Sequence, residues 1–145
     1  MNLPLATSPG LKVGLLGGSF NPAHEGHRLV SLMALRQMQL DQIWWLVSPQ
    51  NPLKSTRDMA PLDVRMRGAK QWSAHPRIIV TDIETHMGTR FTVDTVVALQ
   101  HRYAQVHFVW LMGADNMIQL PRWAKWRARS LVSETAWWRS MSWMA

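Results

Sequence analysis

Residues Leu11–His27, which read LKVGLLGGSFNPAHEGH, decide the fold of this 145-residue chain. The segment begins with an apolar run, Leu11 to Leu16, that has the length of a short buried strand. A loop containing glycine and proline follows from Gly17 to His24, and the pattern becomes helical from about Gly26. The segment therefore predicts a strand, a loop and a helix in succession, which is how a βαβ unit begins.

The same alternation of strand and helix continues along the chain. Leu29, Leu32, Met33 and Arg36 share one face of the first helix, and Thr92 is a plausible N-cap of a later helix with Val93, Val96 and Val97 inward. Further strands are predicted at Ile43–Val47, Arg77–Ile83 and Val106–Met112, and further helices over Pro61–Ala74, over Thr92–Tyr103 and from near Pro121.

This order of elements predicts an α/β fold, a Rossmann-like parallel sheet with helices on both faces. In such sheets ligands bind beyond the carboxyl ends of the strands, where the strand order reverses. Three loops in that position carry polar residues, namely Gly17–His27, Ser48–Lys54 and Gly113–Asn116. We therefore expect the functional site at this edge of the sheet.

Composition excludes some kinds of chemistry and favours an anionic partner. The chain has no cysteine, so disulfides, thiolate nucleophiles and sulfur-ligated metals are excluded, and a cytoplasmic location is expected. Its net charge of +7 is compatible with nucleotide phosphates, nucleic acid or a membrane surface. No apolar run is long enough to span a bilayer, so no membrane partner is expected. Residues 1–10 make a poor signal peptide and are interpreted as a flexible extension.

The loop before the first predicted helix has the features of a phosphate cradle. Gly17 and Gly18 allow close approach of the backbone, and a helix N-terminus directs unpaired N–H groups to the same place. His24 and His27 are three residues apart, so a helical first turn puts them on one side. The alternative is that the glycines form a turn and the histidines only cap the helix. The glycine spacing matches neither the dinucleotide fingerprint nor the P-loop, and two histidines alone make a weak metal site.

Beyond these separate features, the string GGSFNP-x-H-x-GH resembles the nucleotidylyltransferase superfamily with its H-x-G-H signature. Together with SPQNPLK after the second predicted strand, it looks specifically like the nicotinate-nucleotide adenylyltransferases, over Leu11 to Val132. The resemblance implies transfer of AMP from ATP to nicotinate mononucleotide, which gives nicotinate adenine dinucleotide and pyrophosphate in NAD biosynthesis. It also implies magnesium bound to the ATP phosphates, and no metal held by protein ligands.

The resemblance also implies roles for individual residues. His24 and His27 would be catalytic and contact the ATP phosphates, with His27 nearest the α-phosphate. Asp115 would bind a ribose hydroxyl, although an aspartate there is also a common helix N-cap. The implied ATP-binding residues are Gly17, Gly18, Phe20 and Asp115.

A second group of residues is implied to bind nicotinate mononucleotide. Lys54 would meet its phosphate, Trp123 would stack on the pyridine ring, and backbone amides near Thr92 and Ala124 would hold the carboxylate. Without the resemblance, the sequence would predict a solvated surface lysine at Lys54 and a packing residue at Trp123. The implied set is Asn21, Lys54, Thr92, Trp123 and Ala124.

The C-terminal end departs from the family pattern. Family members continue with a strand and a helix that begins with a motif like Ile-Ser-x-Thr-x-Ile-Arg, whereas residues 133–145 read SETAWWRSMSWMA. We therefore expect an incomplete domain over 11–132, without its C-terminal strand and helix, followed by an atypical Trp-rich tail. A sheet short of one strand exposes an edge, which predicts marginal stability and weak ATP affinity.

Two rival functions follow from the same residues. The first is a catalytically impaired nucleotide-binding fragment of such an enzyme. The second, ranked third overall, is nucleic-acid binding by basic residues interleaved with Trp123 and Trp126, namely Arg122, Lys125, Arg127 and Arg129. Because Arg122, Lys125 and Arg129 fall on one helix face, a solvated face is an adequate explanation.

Overall fold

A computed structural model describes residues 7–49, 58–89 and 92–111 of the chain. Within them, strands and helices alternate as the apolar pattern predicts, except that one short helix without a counterpart in the prediction follows the third strand. The elements in chain order are β1 Lys12–Gly18, α1 Glu25–Gln37, β2 Gln42–Val47, α2 Leu62–Ser73, β3 Ile78–Thr81, α3 Ile83–Met87, α4 Thr92–Arg102 and β4 His107–Leu111.

The four strands form one parallel sheet in the order β3-β2-β1-β4. Leu15 of β1 pairs with Trp44 of β2 on one side and with Trp110 of β4 on the other. The chain first moves outward from β1 to β3, and then crosses back to place β4 on the free side of β1. The strand order therefore reverses at the carboxyl end of β1, which is where ligands bind in sheets of this kind.

Helices cover both faces of the sheet, so the predicted α/β architecture is confirmed. On one face Leu15 and Trp44 belong to a core cluster with Ile83 of α3 and Leu99 of α4. The opposite face carries a second cluster, to which α1 and α2 contribute, and its members include Leu16, Trp45, Ala34, Leu35 and Ala69. Because β2 lies between neighbours and under both layers, all five residues of IWWLV are buried, as a continuous apolar run requires.

Three predicted details of the third strand and of helix α4 are wrong. The third strand ends at Thr81 rather than Ile83, because the Thr81 Oγ1 atom accepts the Ile83 N–H at 3.1 Å and the chain turns into the unpredicted helix α3. Thr92 is the first residue of α4 rather than its N-cap. On α4, Val93 and Val96 are buried as expected, but Val97 is only partly buried.

The face of α1 that packs on the sheet overlaps only in part with the one that the sequence singled out, since Leu32 is partly buried against the second cluster. Ser31, Ala34 and Leu35 are its buried residues, whereas the side chains of Leu29 and Met33 are 55% and 41% exposed. None of the described helices has the length and apolar character needed to cross a membrane. The predicted helix near Pro121 and the tail 133–145 lie outside the described residues.

Candidate functional site

Two histidines close the first turn of α1 by binding its backbone. The Nδ1 atom of His24 accepts the N–H of Gly26 at 3.0 Å, and the Nδ1 atom of His27 accepts the N–H of His24 at 3.1 Å. The two ring centroids are 4.1 Å apart. The alternative that these histidines cap the helix is therefore correct as a description of the structure, and the capping orients both rings.

The capping bonds also determine which nitrogen of each ring carries the proton. Because Nδ1 accepts a hydrogen bond in both rings, the neutral form of each imidazole has its hydrogen on Nε2. In the part of the chain that the structure describes, neither Nε2 atom has a hydrogen-bond partner. The site therefore presents two Nε2–H donors beside the N-terminus of a 13-residue helix, an arrangement suited to an anion.

His27 is held in its neutral form. Burial, and next the neighbouring His24, lower the pKa of His27 from 6.5 to about 4. The rings of Phe20 and Trp45 lie against it, with centroid distances of 4.5 Å and 5.9 Å. At neutral pH His27 therefore donates as an uncharged imidazole, and it acquires a charge only if a bound anion raises its pKa.

Gly26 makes room for the His24 ring. A Cβ atom at this position would lie 2.7 Å from Cε1 and 2.9 Å from Nδ1 of His24, closer than real contacts allow. The third position of H-x-G-H must therefore lack a side chain if His24 is to cap the helix. The sequence analysis assigned no role to Gly26, although its place between the two histidines was the available signal.

Alanine substitutions at two helical glycines should separate this steric requirement from helix propensity. Gly68 of α2 has open space where a Cβ would be placed, so Gly68→Ala should raise the free energy of unfolding by about 0.5–1 kcal/mol. Gly26→Ala should instead lower it by about 1 kcal/mol, because the displaced His24 ring no longer caps α1. Urea denaturation measures both changes, and ¹⁵N shifts of the histidine rings report the loss of the Nδ1 bonds. Equal stabilisation by both substitutions would contradict the proposed contact.

Phe20 forms the apolar floor under His27. Its ring is 1% exposed and stacks on Trp45 at 5.2 Å, although its φ of +50° lies in the left-handed region. That backbone conformation costs about 1–2 kcal/mol for a non-glycine residue, which burial of an aromatic ring of this size offsets. Phe20 therefore carries its side chain under the histidine, and its contact with ATP stays a prediction.

Trp45 connects β2 to the backbone of His27. Its Nε1–H donates to Ser31 Oγ at 2.7 Å, and the Ser31 hydroxyl donates to the carbonyl oxygen of His27 at 2.8 Å. The sequence identified Trp45 only as part of a strand. The link needs an indole on one face of β2 and a small hydroxyl on α1, two features that no short motif combines.

The two glycines at the end of β1 differ in what a side chain at each position would meet. A Cβ atom at Gly17 would lie 2.6 Å from the Cη2 atom of Trp110 on β4, whereas one at Gly18 would meet Phe20 at an ordinary 3.7 Å. Gly17 is therefore required by packing between strands, a reason that the sequence analysis did not give. Contact of either glycine with nucleotide phosphates stays a prediction.

The Asn21 side chain fastens the loop to the residues that precede α2. Its Nδ2 atom donates to the carbonyl oxygen of Asp58 at 2.9 Å, and its Oδ1 atom accepts the N–H of Ala60 at 3.1 Å. One amide thus joins the loop after β1 to the far end of the connection between β2 and α2. Its predicted contact with nicotinate mononucleotide is untested, and the observed role is structural.

Thr92 stands at the N-terminus of α4, on the same edge of the sheet as His24 and His27. This follows because α1 and α4 both run back from the carboxyl ends of parallel strands, one on each face. The first N–H groups of a helix have no partner within the helix and can bind a carboxylate, so the contact predicted for Thr92 stays a prediction. The other predicted site residues, Lys54, Asp115, Trp123 and Ala124, lie outside the described residues.

A buried carboxyl group supports the start of α4. Thr95 Oγ1 is 3.2 Å from Glu84 Oε2 and 2.9 Å from Thr89 Oγ1, and the three side chains form a hydrogen-bonded chain. Burial raises the pKa of Glu84, and the hydrogen bond from Thr95 opposes this shift. Glu84 was not among the residues predicted from the sequence.

The raised pKa of Glu84 predicts a pH dependence of stability. Between the unfolded pKa, 4.5, and the higher folded pKa, the folded chain binds more protons, so stability falls as pH rises through this range. Glu84→Gln keeps an oxygen that can accept from Thr95 and cannot ionise. Urea denaturation from pH 4 to pH 8 should show a gain for Glu84→Gln, relative to the unchanged chain, that grows with pH. Glu25→Gln, at an exposed carboxylate, is the control, and a gain that is constant across pH would contradict the assignment.

The topology and the paired donors define a class of protein, the α/β proteins with a parallel sheet in which a ligand site lies where the strand order reverses. Comparison with known families agrees, since the family model described as cytidylyltransferase-like matches residues 15–137. The chain belongs to this cytidylyltransferase-like family.

Individual relatives show which proteins within the family the chain is similar to. The chain is 64% identical over 120 residues to a "probable nicotinate-nucleotide adenylyltransferase" of Parvibaculum lavamentivorans, a match that covers 83% of this chain and 60% of the relative. It is 57% identical over 115 residues to one of Cereibacter sphaeroides, with 79% and 62% coverage. The chain thus spans about 60% of the length of the curated relatives that it matches.

Solved structures share the fold. The nicotinic acid mononucleotide adenylyltransferase of Plasmodium falciparum complexed with NaAD superposes with a TM-score of 0.71 at 19% identity, covering 86% of this chain and 61% of that one. The same enzyme complexed with APC gives a TM-score of 0.69 at 16% identity, with 82% and 59% coverage.

Proposed function

We propose that the protein transfers AMP from ATP to nicotinate mononucleotide, forming nicotinate adenine dinucleotide and pyrophosphate. One observation carries the proposal: two histidines, oriented by their capping bonds, offer Nε2–H donors at the start of α1, where the strand order reverses. The names of the relatives at 64% and 57% identity support the choice of substrates.

The reaction is an in-line displacement at phosphorus. A phosphate oxygen of nicotinate mononucleotide forms a bond to the α-phosphorus of ATP, the bond from that phosphorus to the bridging oxygen breaks, and pyrophosphate leaves with the electron pair. Negative charge on the α-phosphate oxygens is stabilised by the Nε2–H groups of His24 and His27, with His27 nearer. No covalent enzyme intermediate is needed, so positioning and electrostatic stabilisation dominate the catalysis.

The two substrates are assigned to opposite sides of the carboxyl edge. ATP lies against the loop of Gly17, Gly18 and Phe20, with Asp115 on its ribose. The nicotinate carboxylate is bound by backbone N–H groups at the start of α4, and its full negative charge favours the acid over the neutral amide. The mononucleotide contacts are those predicted from the sequence: Asn21, Lys54, Thr92, Trp123 and Ala124.

Magnesium is expected to enter with ATP. Among the residues of 7–49, 58–89 and 92–111, no three His, Cys, Asp or Glu side chains lie close enough together to hold a metal ion. We propose a magnesium ion held by the substrate phosphates and by water, as is usual for this strongly hydrated cation. The ion would neutralise phosphate charge. A cytoplasmic location stays a prediction from the sequence.

The direct test is pyrophosphate release by the purified chain with ATP and magnesium. Nicotinate mononucleotide is compared with nicotinamide mononucleotide and with phosphopantetheine, and calorimetry measures the binding of each. Release with nicotinate mononucleotide alone is the expected result. Release with phosphopantetheine would overturn the assigned substrate, and binding of nicotinate mononucleotide without release would instead support the nucleotide-binding fragment.

A further inference from the structure

Arg65 of α2 is a buried cation that binds three separate stretches of backbone. Its side chain is 2% exposed. Its Nε atom donates to the carbonyl oxygen of Ala60 at 2.8 Å, and its Nη1 atom donates to those of Ser19 at 2.9 Å and Ser48 at 2.8 Å. Taking a guanidinium out of water is costly unless its donors are satisfied, so these bonds are a condition for its burial.

The three acceptors belong to the loops that form the candidate site. Ser19 follows β1 and opens the loop that leads to His24, Ser48 directly follows β2, and Ala60 lies just before α2. Ser48 and Ala60 therefore flank the connection that contains Lys54, and one side chain holds both of its ends. Asn21 binds the same connection at Asp58 and Ala60, which adds a second tie to the histidine loop.

The planar shape of the guanidinium explains why arginine is needed here. Its donors point in fixed directions, so one group can meet carbonyl oxygens from three segments at defined angles. A lysine has the same charge on a single nitrogen and cannot reproduce this arrangement. Arg67, two residues along the same helix, shows the contrast: its side chain is 73% exposed and lies 3.9 Å from Asp63 across one helical turn.

We propose that Arg65 is a positioning residue that sets the spacing between the histidine loop and the connection that carries Lys54. Being buried, it touches neither substrate. It acts by holding the backbone at Ser19, Ser48 and Ala60 at a fixed spacing. This inference rests on the proposed function, since those loops are assigned to ATP and to nicotinate mononucleotide.

Hydrogen exchange tests the loop spacing independently of turnover. In the full chain, Arg65→Met and Arg65→Lys should each speed amide exchange of peptides covering residues 19–24 and 46–49 by about tenfold or more, because the loops open more often. Exchange in β4 should not change, and the surface variant Arg67→Met should leave all of these peptides unchanged. Unchanged exchange in both loops after Arg65→Met would overturn the proposal.

Steady-state kinetics then test whether the loss of Arg65 weakens the binding of both substrates. Per folded molecule, Arg65→Lys should raise KM for both ATP and nicotinate mononucleotide by about tenfold, and millimolar guanidinium should partly restore activity to Arg65→Ala. If Arg65→Lys reduced only the amount of folded protein and left both KM values unchanged, that result would contradict a positioning role. Full activity of Arg65→Lys, with lysine replacing arginine without loss, would contradict it too. If the unchanged chain releases no pyrophosphate, the proposed function fails while the exchange result still decides whether Arg65 holds the loops.

Discussion

Replacement of His27 by alanine is expected to lower kcat by about 10²–10³-fold, the usual cost of removing one well-placed donor to a developing charge. The neutral His27 ring already carries its hydrogen on Nε2, because its Nδ1 atom accepts the His24 N–H. No reorganisation is needed when charge builds on the α-phosphate. Pyrophosphate release under saturating substrates measures the effect.

His101→Ala is the matched control, since that histidine lies exposed in the last turn of α4, at the opposite end of the sheet from the site. Its loss should leave kcat unchanged. If His27→Ala and His101→Ala turned over equally fast, His27 would have no part in the reaction.

The low pKa of His27 adds a stability test to the same variant. The unfolded chain binds a proton at this position near pH 6.5 and the folded chain only near pH 4, so stability is lost as pH falls through that interval. His27→Ala should remove this contribution, and its stability relative to the unchanged chain should improve as pH falls from 7 to 4. A constant difference would show that His27 is not held neutral.

Substitution of Trp45 by alanine should destabilise the fold by about 3–5 kcal/mol, the range for removing a large aromatic ring from a core. The side chain is fully buried and packs on Phe20, which in turn lies under His27. For a domain whose total stability is about 5–15 kcal/mol, this is a large fraction. Thermal and urea denaturation measure the loss.

The neighbouring tryptophan provides a control on the opposite face of the same strand. Trp44 is equally buried, but its Nε1–H donates to Gln42 and its ring packs on Tyr103 and Phe108, away from the histidines. Trp44→Phe and Trp45→Phe should cost similar stability, while only Trp45→Phe should shift the ¹⁵N resonances of His27 and reduce turnover. Equal effects of both on His27 would show that the link through Ser31 is unimportant.

The order of the four strands and of the helices α1, α2 and α4 follows from local sequence patterns. Apolar runs such as Ile43–Val47 and helical stretches such as Leu62–Ser73 report burial along a single segment, which periodicity detects. The histidine pair could also be predicted to lie on one side of the helix start, because His24, Gly26 and His27, which form the cap, lie within four residues of sequence. The end of β3 was missed because one Thr81 hydroxyl bond, rather than a change of polarity, stops the strand.

The sequence by itself determined which segments alternate, that they build a parallel sheet, and which loop carries the histidines, since each of these depends on neighbours along the chain. Only the tertiary structure decided why Gly17 must make room for Trp110, how Trp45 supports His27, and that Arg65 binds Ser19 and Ser48. The physical reason is distance along the chain. Arg65 and Ser19 are 46 residues apart, so their hydrogen bond exists only once β1, β2 and α2 have packed together.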